Sequence, residues 1–173
     1  MKIIDCQFPR HGKTIQQIFN DAIANSTALY DYQPRSLNTI QKWLEAKAEK
    51  SYPVIGIEDS HDSLMGFATY NAFRAWDAYQ YSVEHSVYVD SAHRGKGVGK
   101  KLLVELIQIA HQQNYHTLIG GIDGQNSVSI RLHKSLGFVH CGTIQQVGFK
   151  FNRWLDLEFY QLILSTPEQP TEK

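Results

Sequence analysis

The nine residues HRGKGVGKK, His93 to Lys101, set three glycines among His93, Arg94, Lys96, Lys100 and Lys101. That combination suits an anion. Glycine lets the backbone approach a ligand and take positive φ, and the free amides and dipole of a following helix favour negative charge. The flanks supply the setting: SVYVD, a strand-like run, precedes the loop, and LLVELIQIAHQQ, with helical period, follows it. Two phosphate-binding templates fail on spacing. Counted from Gly95, a P-loop requires glycine at residue 100, which is Lys100, and no hydroxyl follows. The dinucleotide pattern Gly-x-Gly-x-x-Gly requires glycine at Lys100 or, counted from Gly97, at Leu102. What stands there is Arg94-x-x-Gly97-x-Gly99.

A carboxylate lies just upstream. In YSVEHSVYV, regular alternation puts Ser82, Glu84, Ser86 and Tyr88 on one face and Val83, His85, Val87 and Val89 on the other. A polar row against an apolar row suits a strand with one face on a cleft. Downstream, NSVSIRLHKSLGF reads as a short helix that Asn126 caps and Gly137 ends. The histidines at 11, 61, 93, 111, 116 and 140 have no ligand-like pairing, and Cys6 and Cys141 have no zinc spacing, so no metal is expected.

Elements must hold these residues. GKTIQQIFNDAIAN places Ile15, Ile18, Phe19, Ala22 and Ile23 at helical spacing, with Thr14 as cap. LNTIQKWLEAKAEK is a second amphipathic helix, with Leu37, Ile40, Trp43, Leu44 and Ala48 near one face and Ser36 as its cap. PVIGIED, LMGFATYNAFR and QYSVEHSVYVD read as strands, GKKLLVELIQIAHQQN as the clearest helix, and HTLIGGID as a strand. After the short helix, VHCGTIQQVGFKF and RWLDLEFYQLIL are the final strands, and KIIDC is a short strand at the start. The order predicts an α/β or α+β layer fold with one main sheet. There is no repeat and no linker, so one domain is expected over residues 1–165, and residues 166–173 read as a frayed polar tail. With 17 basic and 17 acidic residues among 173, the net charge of zero argues against a dedicated nucleic-acid binder. No stretch has the length of a membrane span or a signal peptide, so a cytoplasmic protein is expected.

With strand, loop and helix assembled, Arg94-x-x-Gly97-x-Gly99 resembles the R/Q-x-x-G-x-G/A signature of the GNAT acyltransferases, and NSVSIRLHKSLGF is similar to that family's N-x-x-[AS]-x-x-[LF]-[YH]-x-x-x-G-F segment. STALYDY, GFATYNAFR, VEHSVYV and KFNRWLD further resemble its phosphinothricin and methionine-sulfone N-acetyltransferase branch, from about Ile15 to about Leu162.

The resemblance implies the GNAT fold, a central mixed, mostly antiparallel twisted sheet flanked by helices. It implies direct acetyl transfer from acetyl-CoA to the α-amino group of a small amino acid analogue, of the phosphinothricin, methionine sulfone or methionine sulfoximine type. Glu84 would be the general base and His133 a proton-transfer residue. Val87, Tyr88 and Val89 would run along the pantetheine through their backbone. Arg94, Gly95, Lys96, Gly97, Val98, Gly99 and Lys100 would hold the pyrophosphate, with Asn126 and Ser129 completing the cofactor side. Phe73, Arg74, Tyr30 and Tyr32, with Glu84, would bind the acceptor, Arg74 gripping its carboxylate. Relatives in the branch imply a homodimer. Two alternatives remain: another acceptor, such as a polyamine, an aminoglycoside or a protein amino terminus, or a CoA-binding sensor without catalysis. A polycation wants an acidic cleft, and the chain has no acidic run.

Overall fold

Pro9 starts the first helix earlier than its apolar period predicts. In the computed structural model, which describes residues 1–172, α1 spans Phe8–Asn25 with Gln7 as N-cap and a proline in its first turn. Proline suits that position, because the N–H it lacks would have no helical partner. His11 completes the start: its Nδ1 accepts from the Gln7 N–H at 2.9 Å, and its Nε2 donates to the buried Glu58 carboxylate at 3.1 Å. Thr14 therefore lies inside the helix rather than at its cap. Ser36 does cap α2 (Leu37–Glu49), accepting from the Thr39 N–H.

The remaining elements follow the expected order: β1 (Lys2–Asp5) ahead of α1, then after α2 come β2 (Val54–Glu58), β3 (Leu64–Ala72), β4 (Ser82–Val89), α3 (Val98–Gln112), β5 (Thr117–Asp123), α4 (Ser127–Ser135), β6 (Val139–Lys150) and β7 (Arg153–Ile163). Among the described residues the strands form one seven-stranded sheet in the order β1-β2-β3-β4-β5-β7-β6. It is mixed and mostly antiparallel: β4 and β5 pair in parallel, whereas β1–β2, β2–β3, β5–β7 and β6–β7 are antiparallel.

The chain forms two compact units, whose boundaries fall inside β3, β4 and α3. The first comprises Met1–Thr69 and Ser86–Leu106. Its core is the one the helical period predicts: Ile15, Ile18, Phe19 and Ala22 of α1 cluster with Ile40 and Leu44 of α2 and with Phe67 and Tyr88 of the strands. Phe19 is the hub, its ring 4.9 Å from those of both Phe67 and Tyr88. The face of α2 departs from expectation. Leu37 and Ala48 are exposed and Lys47 is buried, its Nζ lying 5.5 Å from the Trp43 ring and 5.6 Å from the Tyr52 ring. Apolar spacing cannot reveal this, because a lysine stem packs like an apolar side chain.

The second unit comprises Tyr70–His85 and the chain from Ile107 onward. It holds the start of β4, β5 and the long β6–β7 hairpin. The tail is tied down through Thr171, against the expected fraying. Thr166 Oγ1 donates to the Tyr115 carbonyl at 2.6 Å, and the Tyr81 hydroxyl donates to the Thr171 carbonyl at 3.0 Å. Among the described residues, no helix is long and apolar enough to cross a membrane, and no group of His, Cys, Asp and Glu is arranged to hold a metal.

Candidate active site

The glycine loop lies in the first unit. Gly95 and Gly97 have φ of +76° and +79°, and a Cβ on either would meet nothing within 4 Å. Backbone conformation, not crowding, therefore calls for glycine at both. The Gly97 carbonyl accepts from the Lys101 N–H, the first turn of α3, which leaves the amides just before Lys101 at the helix start without a helical partner and open to a ligand. Lys96, Lys100 and Lys101 are exposed around it. This open cradle of left-handed glycines, helix start and lysines fits a pyrophosphate. The Arg94 side chain is turned elsewhere: its guanidinium meets Asp21 of α1 at 3.1 Å and the Val89 carbonyl at 3.4 Å. It braces the loop. Asp21 carries no motif that sequence reading could have found. On β3, a Cβ at Gly66 would stand 2.6 Å from the Tyr88 carbonyl, so glycine there allows close approach to the Val87–Val89 backbone.

Glu84 lies in the second unit, where β4 pairs with β5 from Ser82↔Thr117 to Glu84↔Ile119. The strand itself runs on to Val89. The alternation expected along it breaks at this point. Val83 and His85 are buried as predicted, but the next buried residue is Tyr88 rather than Val87. Tyr88 is drawn into the Phe19–Phe67 cluster, so the polar row ends at Ser86. Glu84 itself is half-buried. Burial pushes its carboxyl above the ordinary range, and the positive charge of Arg74 partly offsets this.

Gly121 of β5 stands beside this carboxylate, Leu157 and Phe159 of β7 stand beside Gly121, and Phe73 stands beside Phe159. An ideal Cβ on Gly121 would stand 3.0 Å from Glu84 Oε1 and 3.3 Å from Leu157 Cδ1, and the Phe73 and Phe159 rings are 6.4 Å apart. Arg74 is exposed, its guanidinium 4.3 Å above the Phe73 ring and its Nη1 donating to the Phe73 carbonyl at 3.1 Å. Sequence reading found Glu84, Arg74 and Phe73. It missed Gly121, Leu157 and Phe159, for which the glycine pair in LIGGID was the only available signal.

His133 is buried in the same unit with both ring nitrogens engaged. Nδ1 donates to the Ser129 carbonyl at 2.7 Å, so a neutral ring presents a bare Nε2 to His85 Nε2 at 2.9 Å. The His85 Nε2–H therefore donates to it. Burial holds both histidines neutral: that of His85, reinforced by the neighbouring His133, pushes it down to about 3, and His133 is lowered by the same cause. The pair joins β4 to α4. At the start of α4, Asn126 Oδ1 accepts from the Ser129 N–H at 3.1 Å, the capping role read from sequence. Tyr30 and Tyr32 stand in the first unit, on the segment joining α1 to α2, Tyr30 half-buried and Tyr32 66% exposed.

Comparison with known proteins agrees with this architecture. Residues 12–158 match the family model described as an acetyltransferase (GNAT) domain. The chain belongs to the GNAT family and is an acetyl-transferring enzyme. It is 43% identical over 150 residues, 87% of each chain, to an L-methionine sulfoximine/L-methionine sulfone acetyltransferase from Pseudomonas paraeruginosa. It is 30% identical over 86% of its length, and 88% of the relative's, to a phosphinothricin N-acetyltransferase from Streptomyces coelicolor. A GNAT phosphinothricin acetyltransferase from Sinorhizobium meliloti, solved in complex with acetyl-CoA, superposes with a TM-score of 0.94 at 32% identity, covering 99% of this chain and 93% of that one.

Proposed function

We propose that this enzyme transfers acetyl from acetyl-CoA to the α-amino group of a small amino acid of the methionine sulfoximine, methionine sulfone or phosphinothricin type, with Glu84 as general base. The observation that carries the reading is a half-buried carboxylate of raised pKa beside an exposed glycine, with a cationic side chain close enough to be felt. An amine reaches its acceptor site as an ammonium and must lose a proton before it attacks. A carboxylate whose pKa is raised toward the working pH is better matched to that task than one in water. Arg74 offers a guanidinium to the acceptor's carboxylate, and Phe73 and Phe159 offer apolar surface to its side chain. The names of the relatives support the same acceptor class.

Acetyl-CoA, when bound, supplies the acetyl group as an activated thioester. Its pyrophosphate would be held by the amides of Gly95 to Lys100 with Lys96 and Lys100 adding charge, and its pantetheine by the Val87–Val89 backbone; Asn126 and Ser129 are the further cofactor contacts that the family resemblance implies. Arg94 serves this binding by bracing the loop through Asp21. His133, with both nitrogens engaged, acts by holding α4 to β4 rather than by giving a proton to substrate. We also infer a homodimer, supported by the exposed Val147, Phe149, Phe151 and Trp154 of the β6–β7 hairpin, of which Phe149 and Trp154 lie ring against ring.

Glu84→Gln tests the assignment. With L-methionine sulfone, L-methionine sulfoximine and phosphinothricin as acceptors and thiol release as the readout, turnover should fall by roughly 100-fold or more, the usual worth of a general base. Acetyl-CoA affinity should stay unchanged. Near-wild-type turnover would remove Glu84 from the mechanism, and no activity on any of the three would remove the acceptor class.

A further inference from the structure

Two adjacent glycines stand in the middle of β5, Gly120 and Gly121. Glycine weakens a strand interior unless another group must come close. Neither has a positive φ, so any residue could adopt this backbone and the reason must be space. Successive strand residues face opposite ways, and each missing Cβ lies before a particular group. On one face, a Cβ at Gly120 would stand 3.0 Å from His85 Cε1 and 3.2 Å from His133 Nε2. On the other, the Cβ at Gly121 would stand 3.0 Å from Glu84 Oε1. Gly120 and Ile122 are buried, but Gly121 between them is exposed. Core packing therefore does not demand the glycine at 121.

We propose that Gly121 is a positioning residue for acetyl transfer: its missing side chain leaves the Glu84 carboxylate the place from which it takes the acceptor's proton. The inference rests on Glu84 being the base. Ordinary contact with a Cβ begins at 3.4 Å, so a methyl at 121 displaces Oε1 by a few tenths of an ångström. It also takes up open space next to the carboxylate, where the ammonium must come. Proton transfer and attack both depend on the placement of the groups involved, and small displacements cost rate steeply. Leu157, 3.3 Å from the same Cβ, limits how far the methyl can lean the other way.

The test is a double-mutant cycle of Gly121→Ala and Glu84→Gln with L-methionine sulfone as acceptor. It follows kcat, both KM values, acetyl-CoA affinity by calorimetry and the melting temperature. Gly121→Ala should lower kcat about tenfold and leave acetyl-CoA affinity unchanged. In the Glu84→Gln background it should lower kcat no further, because it acts through the carboxylate. Equal losses in both backgrounds, or wild-type kcat in the single variant, overturn the inference and leave the base assignment standing. Near-wild-type turnover of Glu84→Gln overturns both. If Gly121→Ala does not fold, Gly121→Ala/Leu157→Ala, which gives the methyl room to lean away from Oε1, is compared with Leu157→Ala in the Glu84 and the Glu84→Gln backgrounds: a kcat loss smaller than tenfold that vanishes with Glu84→Gln supports the inference, and equal losses in both, or none in either, overturn it.

Discussion

Glu84 and Arg74 act on each other as well as on substrate. Burial favours the neutral form of the Glu84 carboxyl, and the Arg74 charge favours the ionised form. Removing the cation must therefore raise the pKa of Glu84 further. In Arg74→Ala, the acidic limb of the kcat/KM profile should move to higher pH, measured against the wild-type profile with the same acceptor. KM for the amino acid should also rise about 10–100-fold, the worth of a charge-assisted pair at roughly 1.5–3 kcal/mol. An unmoved limb would mean that Arg74 binds the acceptor without tuning the base. An unmoved KM would mean the reverse.

Helix α2 shows how an element can carry a cost that its period hides. Lys47 stands where the helix buries its face, and burial lowers its ammonium pKa from 10.5 to about 7. Between these values the unfolded chain holds a proton that the folded chain lacks, so stability rises with pH across that window. Below pH 7 both states are charged and the burial cost is fully present. Lys47→Met keeps the stem and removes the charge. It should stabilise the protein by on the order of a few kcal/mol at pH 6–7, with the gain shrinking toward pH 10.5. Urea unfolding of both proteins from pH 6 to 10 checks this, and a gain independent of pH would show that packing rather than charge is responsible. The same helix also shows what was legible. Ser36 as its cap is a local matter of one side chain and one amide three residues on, and sequence reading found it. Lys47 needed Trp43 and Tyr52 brought around it, and sequence reading placed Ala48 there instead.

At the scale of the whole molecule, the β6–β7 hairpin presents Phe149 and Trp154 as a cross-strand pair, 44% and 59% exposed, with rings 5.1 Å apart. If this surface joins two copies, light scattering of the wild type should give the mass of two chains. Phe149→Lys/Trp154→Lys should give the mass of one folded chain, because neither side chain belongs to the core, with a melting temperature that no longer depends on protein concentration. A wild-type mass of one chain would leave the hairpin face without that role.

The sequence by itself determined whatever depends on neighbours along the chain. The glycine loop and its exclusion of two nucleotide templates, the order of strands and helices, the caps at Ser36 and Asn126 and the buried faces of α1 and α3 all rest on spacings of a few residues. Only the tertiary structure decided what distant segments do to one another. Arg94 turns to Asp21 because α1 lies beside the loop, not because of anything in its own motif. The polar row of β4 stops short because Tyr88 is claimed by Phe19 and Phe67. His133 closes on His85, and Gly121 clears a place for Glu84, because β5 pairs in parallel with β4. Such pairings join residues tens of positions apart. Their energy comes from burial and hydrogen bonding that exist only once the sheet has formed, so no local pattern records them.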